Sequence, residues 1–411
     1  MASEETPHRG ARTALGLLLA VGVLNYVDRV ALSVAGPQIA SELHLSPSQL
    51  GLLLSAFLWS YAAAQIPAGA LADRAPPRRL LGVAVLVWSL AQGAAGFAGG
   101  LPQLIAARLG LGLGEAPHFP VAARVVRGWF PPSARGFATG VFNSASTLGP
   151  ALAPPVVTLL LLRYGWRGAF WATSLAGLAM AAIWWFDYRD PPAPAGQEGP
   201  GGVGRPTPWR ILLRQPTLWA MALGNFGSGY LTWFYAAWLP SYLEGGRHLT
   251  VLQTGWTAGV PYLFGAVGSL GGGWACDALQ RRGLAPLASR KAPLVAGLAG
   301  GAAFTGLAVL APSAPLAVAA IAAALLCANV ATASIWALAV VAAPPRAVGS
   351  VGAIQNLGGF VGGAVAPIAT GMLVQATGGY TAPLVLAAVA GAAGALVYLV
   401  GVRRPIAGAA P

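Results

Sequence analysis

Charge is scarce in this chain. Only 9% of its 411 residues are charged, against roughly a quarter in a soluble protein. That excludes a water-facing surface wrapped around a globular core. Hydrophobic residues make up 56% of the sequence and mean hydropathy is +0.66, so most side chains must face lipid or a lipid-embedded interior. Cysteine is nearly absent: Cys276 and Cys327 lie in or at the end of apolar segments and offer neither a disulfide framework nor metal-ligand spacing. The four histidines form no paired metal-ligand spacing, and HExxH, P-loop and strand–helix GxSxG patterns are missing, which argues against catalysis. There is a single lysine, Lys291. The short polar N-terminus runs into an apolar block long enough to stay in the membrane, so no cleaved leader is expected.

What is abundant is apolar sequence in blocks of about 20 residues, each able to cross a ~30 Å hydrocarbon layer. The 56 Gly and 33 Pro fall inside these blocks, where small residues let helices approach closely and Pro is tolerated. Twelve spans are predicted, at 12–35, 49–72, 79–99, 102–125, 135–162, 166–187, 216–243, 252–277, 291–311, 314–340, 347–376 and 380–402. The Pro- and Gly-rich segment 188–215, with Arg189, Arg205, Arg210 and Arg214, reads as a cytoplasmic linker between an N-terminal six-helix bundle (1–187) and a C-terminal one (216–411).

The +13 net charge does not point to nucleic acid, because the arginines punctuate span junctions instead of gathering on one face with aromatics. With both termini cytoplasmic, 19 of the 24 basic residues fall on the inner side. Arg163, Arg167 and Arg247 fall outside, and Arg29 and Arg108 lie within spans. This bias sets the orientation of a multi-pass membrane protein with both termini cytoplasmic.

The two halves repeat. Gly136/Gly349, Asn143/Asn356, Gly149/Gly362 and Pro154/Pro367 pair at one offset of 213, and GALADRAPPRR (69–79) is echoed by GWACDALQRR (273–282). Duplicated halves in transporters place substrate sites at the repeat interface near the bilayer midplane.

At these residues the chain resembles the major facilitator superfamily. Gly69–Arg74 followed by Arg78 and Arg79 is similar to its cytoplasmic gate motif. Within the superfamily, the stretches NYVDRVALSVAGPQI (25–39), GLGEAPHFPVAARVVRGWFPPSARGFATGVFNSAS (112–146), GWRGAF (165–170), WLPSYL (238–243) and ASRKAPL (288–294) resemble the anion:cation symporter group. That group carries sugar acids and other organic anions with protons or sodium, and its bacterial hexuronate and aldonate carriers look nearest. The chain departs from the pattern at three places. His118 stands where Asn or a small residue is common, Ser146 where galactonate-type carriers have Gln, and Pro76–Pro77 interrupt the gate loop where Gly is preferred. The resemblance implies an all-α membrane protein of twelve transmembrane helices in two pseudo-symmetric six-helix bundles. It implies a monomer with no cofactor, protons as the coupling ion with sodium left open, and a small organic anion and the bilayer as partners.

Of eleven acidic residues only Asp28 and Glu115 sit deep in spans, beside two deep basic residues, Arg29 and Arg108. A charge at the bilayer centre costs at least ~2.5–3.5 kcal/mol, so such residues mark ion or substrate paths. Asp28 and Arg29 diverge by roughly 100° on a helix and cannot point the same way, whereas Arg108 and Glu115, seven apart, share a face. An anion carrier needs a fixed cation, and the bidentate fork of Arg suits a carboxylate. Protonating Asp28 or Glu115 would leave Arg29 with positive charge to offer. The resemblance assigns proton coupling to Asp28 and Glu115, substrate binding to Arg29, and a part in the charge network to Arg108. The bland alternative is that Asp28–Arg29 and Arg108–Glu115 are static bridges.

A sugar acid also needs hydroxyl partners. Tyr26, Gln355 and Asn356 stand beside family motifs, and Ser146 joins them. Asn25, Gln65, Asn143, Asn225, Tyr230, Trp233 and Tyr235 are further candidates. His118, one turn beyond Glu115, reads either as packing or as part of a proton path. Asp73, Arg74, Arg78, Arg79 and Asp277, with Arg281 and Arg282, are expected to form a cytoplasmic latch, as the superfamily resemblance implies, or simply to anchor the inner side. The expected function is proton-coupled uptake of an organic anion, a hexuronate or aldonate first. An aromatic or short-chain carboxylate, or drug/proton antiport on the same fold, is the alternative.

Overall fold

A computed structural model describes residues 9–131, 133–191, 209–344 and 347–406. Most of the expected linker, 192–208, lies outside the described residues, as does Arg346 at the head of the second repeat motif.

Among the described residues the chain is helical with no strands. The helices are α1 (Arg9–Glu42), α2 (Pro47–Arg74), α3 (Pro77–Ala95), α4 (Leu101–Glu115), α5 (His118–Trp129), α6 (Arg135–Asn143) and α7 (Ala145–Asp187). They continue with the short α8 (Trp209–Leu212), then α9 (Pro216–Ser241), α10 (Val251–Arg281), α11 (Pro286–Leu310), α12 (Ala314–Ala342), α13 (Val348–Thr377) and α14 (Thr381–Gly401). Among the described residues, seven helical stretches are long and apolar enough to cross a membrane. One of them, Arg135–Asp187, has 53 residues, about 80 Å of helix at 1.5 Å per residue, far more than one crossing needs. Gly165, at φ 68° and ψ 177°, turns the chain there, and only glycine enters that backbone region without strain.

Two predicted spans are interrupted. The fourth divides into α4 and α5 at Ala116–Pro117, and the fifth into α6 and α7 at Ser144. Proline lacks the N–H that a continuous helix would use, which accounts for the first break.

The chain forms two compact units: Met1–Leu45 with Ala56–Gln197, and Ser46–Ser55 with Glu198–Pro411. In the first, α7 packs along both α1 and α3, and α3 packs on α4. In the second, α9 lies against α13 and α14, while α12 lies against α10 and α11.

Helix ends explain much of the arginine. Arg78 donates from Nε to the Trp185 carbonyl at 3.1 Å and from Nη2 at 2.5 Å, at the C-terminal end of α7. Arg124 donates to the carbonyls of Ala72 and Ala75 at the end of α2. In the second unit Lys291 donates to Leu399 O at 2.6 Å and Val402 O at 2.8 Å, at the end of α14. Arg247 donates to Ala308 O and Ala311 O, both at 2.8 Å, at the end of α11. The last carbonyls of a helix have no partner inside it, and cations suit that negative end of the dipole.

Candidate functional site

The four charged residues deep in the spans come together in the first unit. Arg29 on α1 donates from Nε to Glu115 Oε2 at 2.7 Å, an ion pair between residues 86 apart in sequence. The Arg29 guanidinium lies 4.9 Å from the ring centres of Tyr26 and Phe57 and 4.8 Å from that of Tyr61. Three aromatic faces thus line the cation, an arrangement that favours charge where water is excluded. Arg108 on α4 points elsewhere: its Nη1 donates to the backbone carbonyl of Asp28 at 3.1 Å, and its guanidinium stands 5.4 Å from the Phe170 ring.

Asp28 and Glu115 are fully buried, and Arg108 is 3% exposed. Arg108, Glu115 and Thr173 are the polar neighbours of the Asp28 carboxyl, yet neither of its oxygens meets hydrogen-bond geometry. Glu115 Oε1 is likewise unpaired, with Asn25 beside the carboxyl. Thr173 accepts from Gln92 Nε2 at 3.0 Å and donates to Phe170 O at 3.2 Å, tying α3 to α7 beneath Arg108. Two acids and two bases balance in charge, and their hydrogen-bonding capacity is only partly used. Buried polar groups are ordinarily satisfied, and exceptions call for a functional explanation.

The local sequence explains how the cluster is held. Gly112 lets α4 approach α2: a Cβ there would touch Ser60 Oγ, and would sit 2.5 Å from Phe57 O and 2.9 Å from Tyr61 N. Phe57 and Tyr61, a turn apart on α2, are thereby seated against Arg29. Gly149 on α7 meets the Tyr26 side chain in the same close way.

Tyr26, Asp28, Arg29, Arg108 and Glu115 are therefore assembled as one cluster. Ser146 is exposed, and its hydroxyl turns back onto Asn143 O at 2.7 Å. Gln355 and Asn356 belong to a different place: both line a cavity of about 130 Å³ inside the second unit. Gln355 is buried and donates to Ile335 O at 3.1 Å, while Asn225 donates to Gln355 O at 2.8 Å. Ser228, Thr232, Trp233, Thr332 and Trp336 complete the polar and aromatic lining. Phe57, Tyr61 and Thr173 carried no sequence signal of their own, since aromatics and threonines at such spacings are common in any apolar span.

Two of the gate candidates make contacts inside their own units. Arg78 is committed to Trp185 O, and its backbone N–H donates to Asp190 at 3.0 Å. Asp277 lies 3.8 Å from Arg290. Asp73, Arg74 and Arg79 are exposed, and Asp73 makes no ion pair among the described residues.

Helices throughout the described residues, with two acids and two bases clustered among apolar spans, have the makings of a membrane transporter. The family model described as "Major Facilitator Superfamily" matches residues 18–289, and the chain belongs to that family. It is 40% identical over 406 residues to a probable L-galactonate transporter of Escherichia coli K12, covering 96% of this chain and 90% of that one. It is 34% identical to a probable sulfoacetate transporter of Cupriavidus necator, covering 94% and 92%. It is 32% identical to the hexuronate transporter of Bacillus subtilis, covering 90% and 89%. Among solved structures, a bacterial homologue of the human lysosomal transporter Spinster superposes with a TM-score of 0.83 at 20% identity, covering 97% of each chain. This last likeness concerns the fold.

Proposed function

We propose that this protein takes up a sugar acid, an aldonate or hexuronate, across the bacterial inner membrane together with protons, by alternating access, with both termini cytoplasmic. The Arg29–Glu115 ion pair is the observation that carries the reading. A substrate carboxylate is chemically equivalent to the Glu115 carboxylate and competes with it for the same guanidinium. When Glu115 takes a proton it lets go of Arg29, and the incoming anion restores the charge balance inside the hydrocarbon. Substrate and proton then each favour binding of the other, the reciprocity that linkage requires. Asp28, beside Arg108, supplies a second carboxyl for proton traffic, and Arg108 keeps it in place. The cavity of the second unit offers the amides of Asn225, Gln355 and Asn356 and the hydroxyls of Ser228, Thr232 and Thr332, groups suited to the hydroxyls of a polyol. The names of the L-galactonate and hexuronate relatives support this substrate class.

A second reading, a short-chain organic anion, draws support from the sulfoacetate relative. One experiment separates the two. Uptake of radiolabelled aldonates, hexuronates, aldarates, sulfoacetate and benzoate into proteoliposomes is measured with and without an inward proton gradient. Gradient-driven accumulation of a sugar acid that is abolished in Arg29→Ala, and reduced to passive exchange in Glu115→Gln, is the expected result. Accumulation of sulfoacetate alone moves the assignment to small anions. Proton-driven efflux of a lipophilic cation, with no acid accumulated, overturns both.

A further inference from the structure

One buried group beside the ion pair has no part in the mechanism so far. His118 is 1% exposed, and neither ring nitrogen has a hydrogen-bond partner. Its nearest rings are aromatic, and one of them, Trp88, brings an indole N–H that is itself without a hydrogen-bond partner. The Trp88 ring lies 6.2 Å away and the Phe119 ring 5.0 Å away. Across the α1 interface the imidazole Cε1 is 3.5 Å from where a Gly22 Cβ would stand. Burying a polar group without a partner is unfavourable, so an apolar filler would serve packing better than this ring does.

The missing partner is close along the chain. Glu115 ends α4 and His118 begins α5, and the two residues between them keep helical backbone angles: Ala116 at φ −55°, ψ −36° and Pro117 at φ −70°, ψ −16°. Residues three apart on such a path lie on one side, with Cβ atoms about 5–6 Å apart. Glu115 uses Oε2 on Arg29, while Oε1 meets no hydrogen-bond geometry, with Asn25 the other polar side chain beside the carboxyl. An unsatisfied carboxyl oxygen and two unsatisfied imidazole nitrogens thus sit one turn apart. Arg29 is the charged side chain that acts on His118 from α1, and Glu115 is the one on the preceding turn. Trp88 from α3 and Ala145 from α7, beside Gly22, bring no charge.

We infer that His118 is the second partner of Glu115: once Arg29 is released, the protonated Glu115 carboxyl donates its O–H to an imidazole nitrogen of His118. The inference rests on the proton-coupled reading above and names the residue that receives Glu115 in its uncharged state. His118 is then a positioning residue. It keeps the proton on Glu115 long enough for an anion to occupy Arg29, and it returns Glu115 to Arg29 when the proton leaves.

The test needs no substrate, so its outcome is separate from that of the uptake experiment. The carboxylic C=O stretch of the purified full-length protein is followed by infrared difference spectroscopy from acid to alkaline pH, and the Glu115 band is assigned by its loss in Glu115→Gln. His118→Leu is expected to shift the frequency of that band and to move its pH midpoint by about half a unit or more. His118→Asn, which still accepts a hydrogen bond, is expected to restore both. Phe119→Leu, which removes a ring 5.0 Å from His118 and no polar atom, is expected to leave both unchanged. An unchanged band in His118→Leu overturns the inference. So does the same change in Phe119→Leu as in His118→Leu, because packing then explains it. Loss of no band in Glu115→Gln overturns it as well, since Glu115 then never carries the proton.

Discussion

Arg29 illustrates what a single side chain reveals in sequence and what it does not. Charge amid hydrocarbon is conspicuous, so Asp28, Arg29, Arg108 and Glu115 were legible as one set of charges from their place within the spans. Their pairing was not. Sequence spacing set Asp28 beside Arg29 and Arg108 on the face of Glu115. The structure crosses these pairs instead, with Arg29 on Glu115 and Arg108 on the Asp28 carbonyl. Side-chain direction on a helix depends on which neighbour the helix faces, and that is settled by packing between segments 80 or more residues apart. The crossed pairing makes a prediction. Arg29→Ala leaves Glu115 buried without its cation and is expected to cost about 3–5 kcal/mol of stability. Glu115→Gln keeps a hydrogen-bond acceptor for Arg29 and is expected to cost far less. Thermal unfolding in detergent checks the order. Losses below about 1 kcal/mol in both variants, the level of an exposed pair, would show that the pair does not hold the unit together.

At the scale of helices, the twelve apolar blocks were legible because hydropathy and length are additive along a segment. Their interruptions were less so, since the α6–α7 break at Ser144 follows no proline or glycine. The repeat offset of 213 reaches further than the motifs that revealed it. Arg78 and Lys291 stand 213 residues apart and perform the same task, each capping the last long helix of its own unit. Close helix approach yields the next prediction. Gly112→Ala drives a methyl into the α2 backbone at Phe57 and Tyr61, a strain of about 1–3 kcal/mol. Displacing those rings from Arg29 is expected to weaken anion binding several-fold while proton-independent folding persists. Calorimetric titration of the purified variant with the transported acid measures it, and unchanged affinity would mean the aromatic seat is dispensable. The turn after α9 adds a pH-dependent case. Glu244, half-buried in the segment Tyr242–Gly246, is pushed up to about 7 by burial. A carboxyl raised in the folded state binds its proton more tightly there than in the unfolded chain. Its stability cost is therefore absent at low pH, appears as pH climbs from the ordinary carboxylate value of 4.5 to about 7, and is complete above that. Glu244→Gln is expected to raise the melting temperature at pH 8 and to give no gain at pH 4. A gain that does not vary with pH would place the effect in packing rather than in charge.

For the molecule as a whole, charge does two separate jobs, and the sequence separates them by position. Inside the spans it forms the quartet of the first unit, whereas the cavity of the second is lined with amides, hydroxyls and indoles. Outside the spans it is overwhelmingly basic. Helix capping by Arg78, Arg124 and Lys291 gives local work to some of these cations, but capping by itself does not choose a side of the membrane. The choice comes from the asymmetry of their number, because positively charged loops are retained on the cytoplasmic side. That argument predicts a side for every loop, and two exposed arginines test it. Arg163 lies just before the Gly165 turn and Arg282 follows α10, so three predicted spans separate them and they must face opposite sides. With Cys276 and Cys327 replaced by Ala, Arg163→Cys is expected to react with a membrane-impermeant maleimide on intact cells. Arg282→Cys is expected to react only after the cells are opened. The reverse pattern would turn the protein over in the membrane and with it the direction of the proton gradient that Glu115 meets. Labelling of both from outside would mean that an odd number of crossings does not lie between them, and the twelve-span arrangement would fail at α7 or α9–α10.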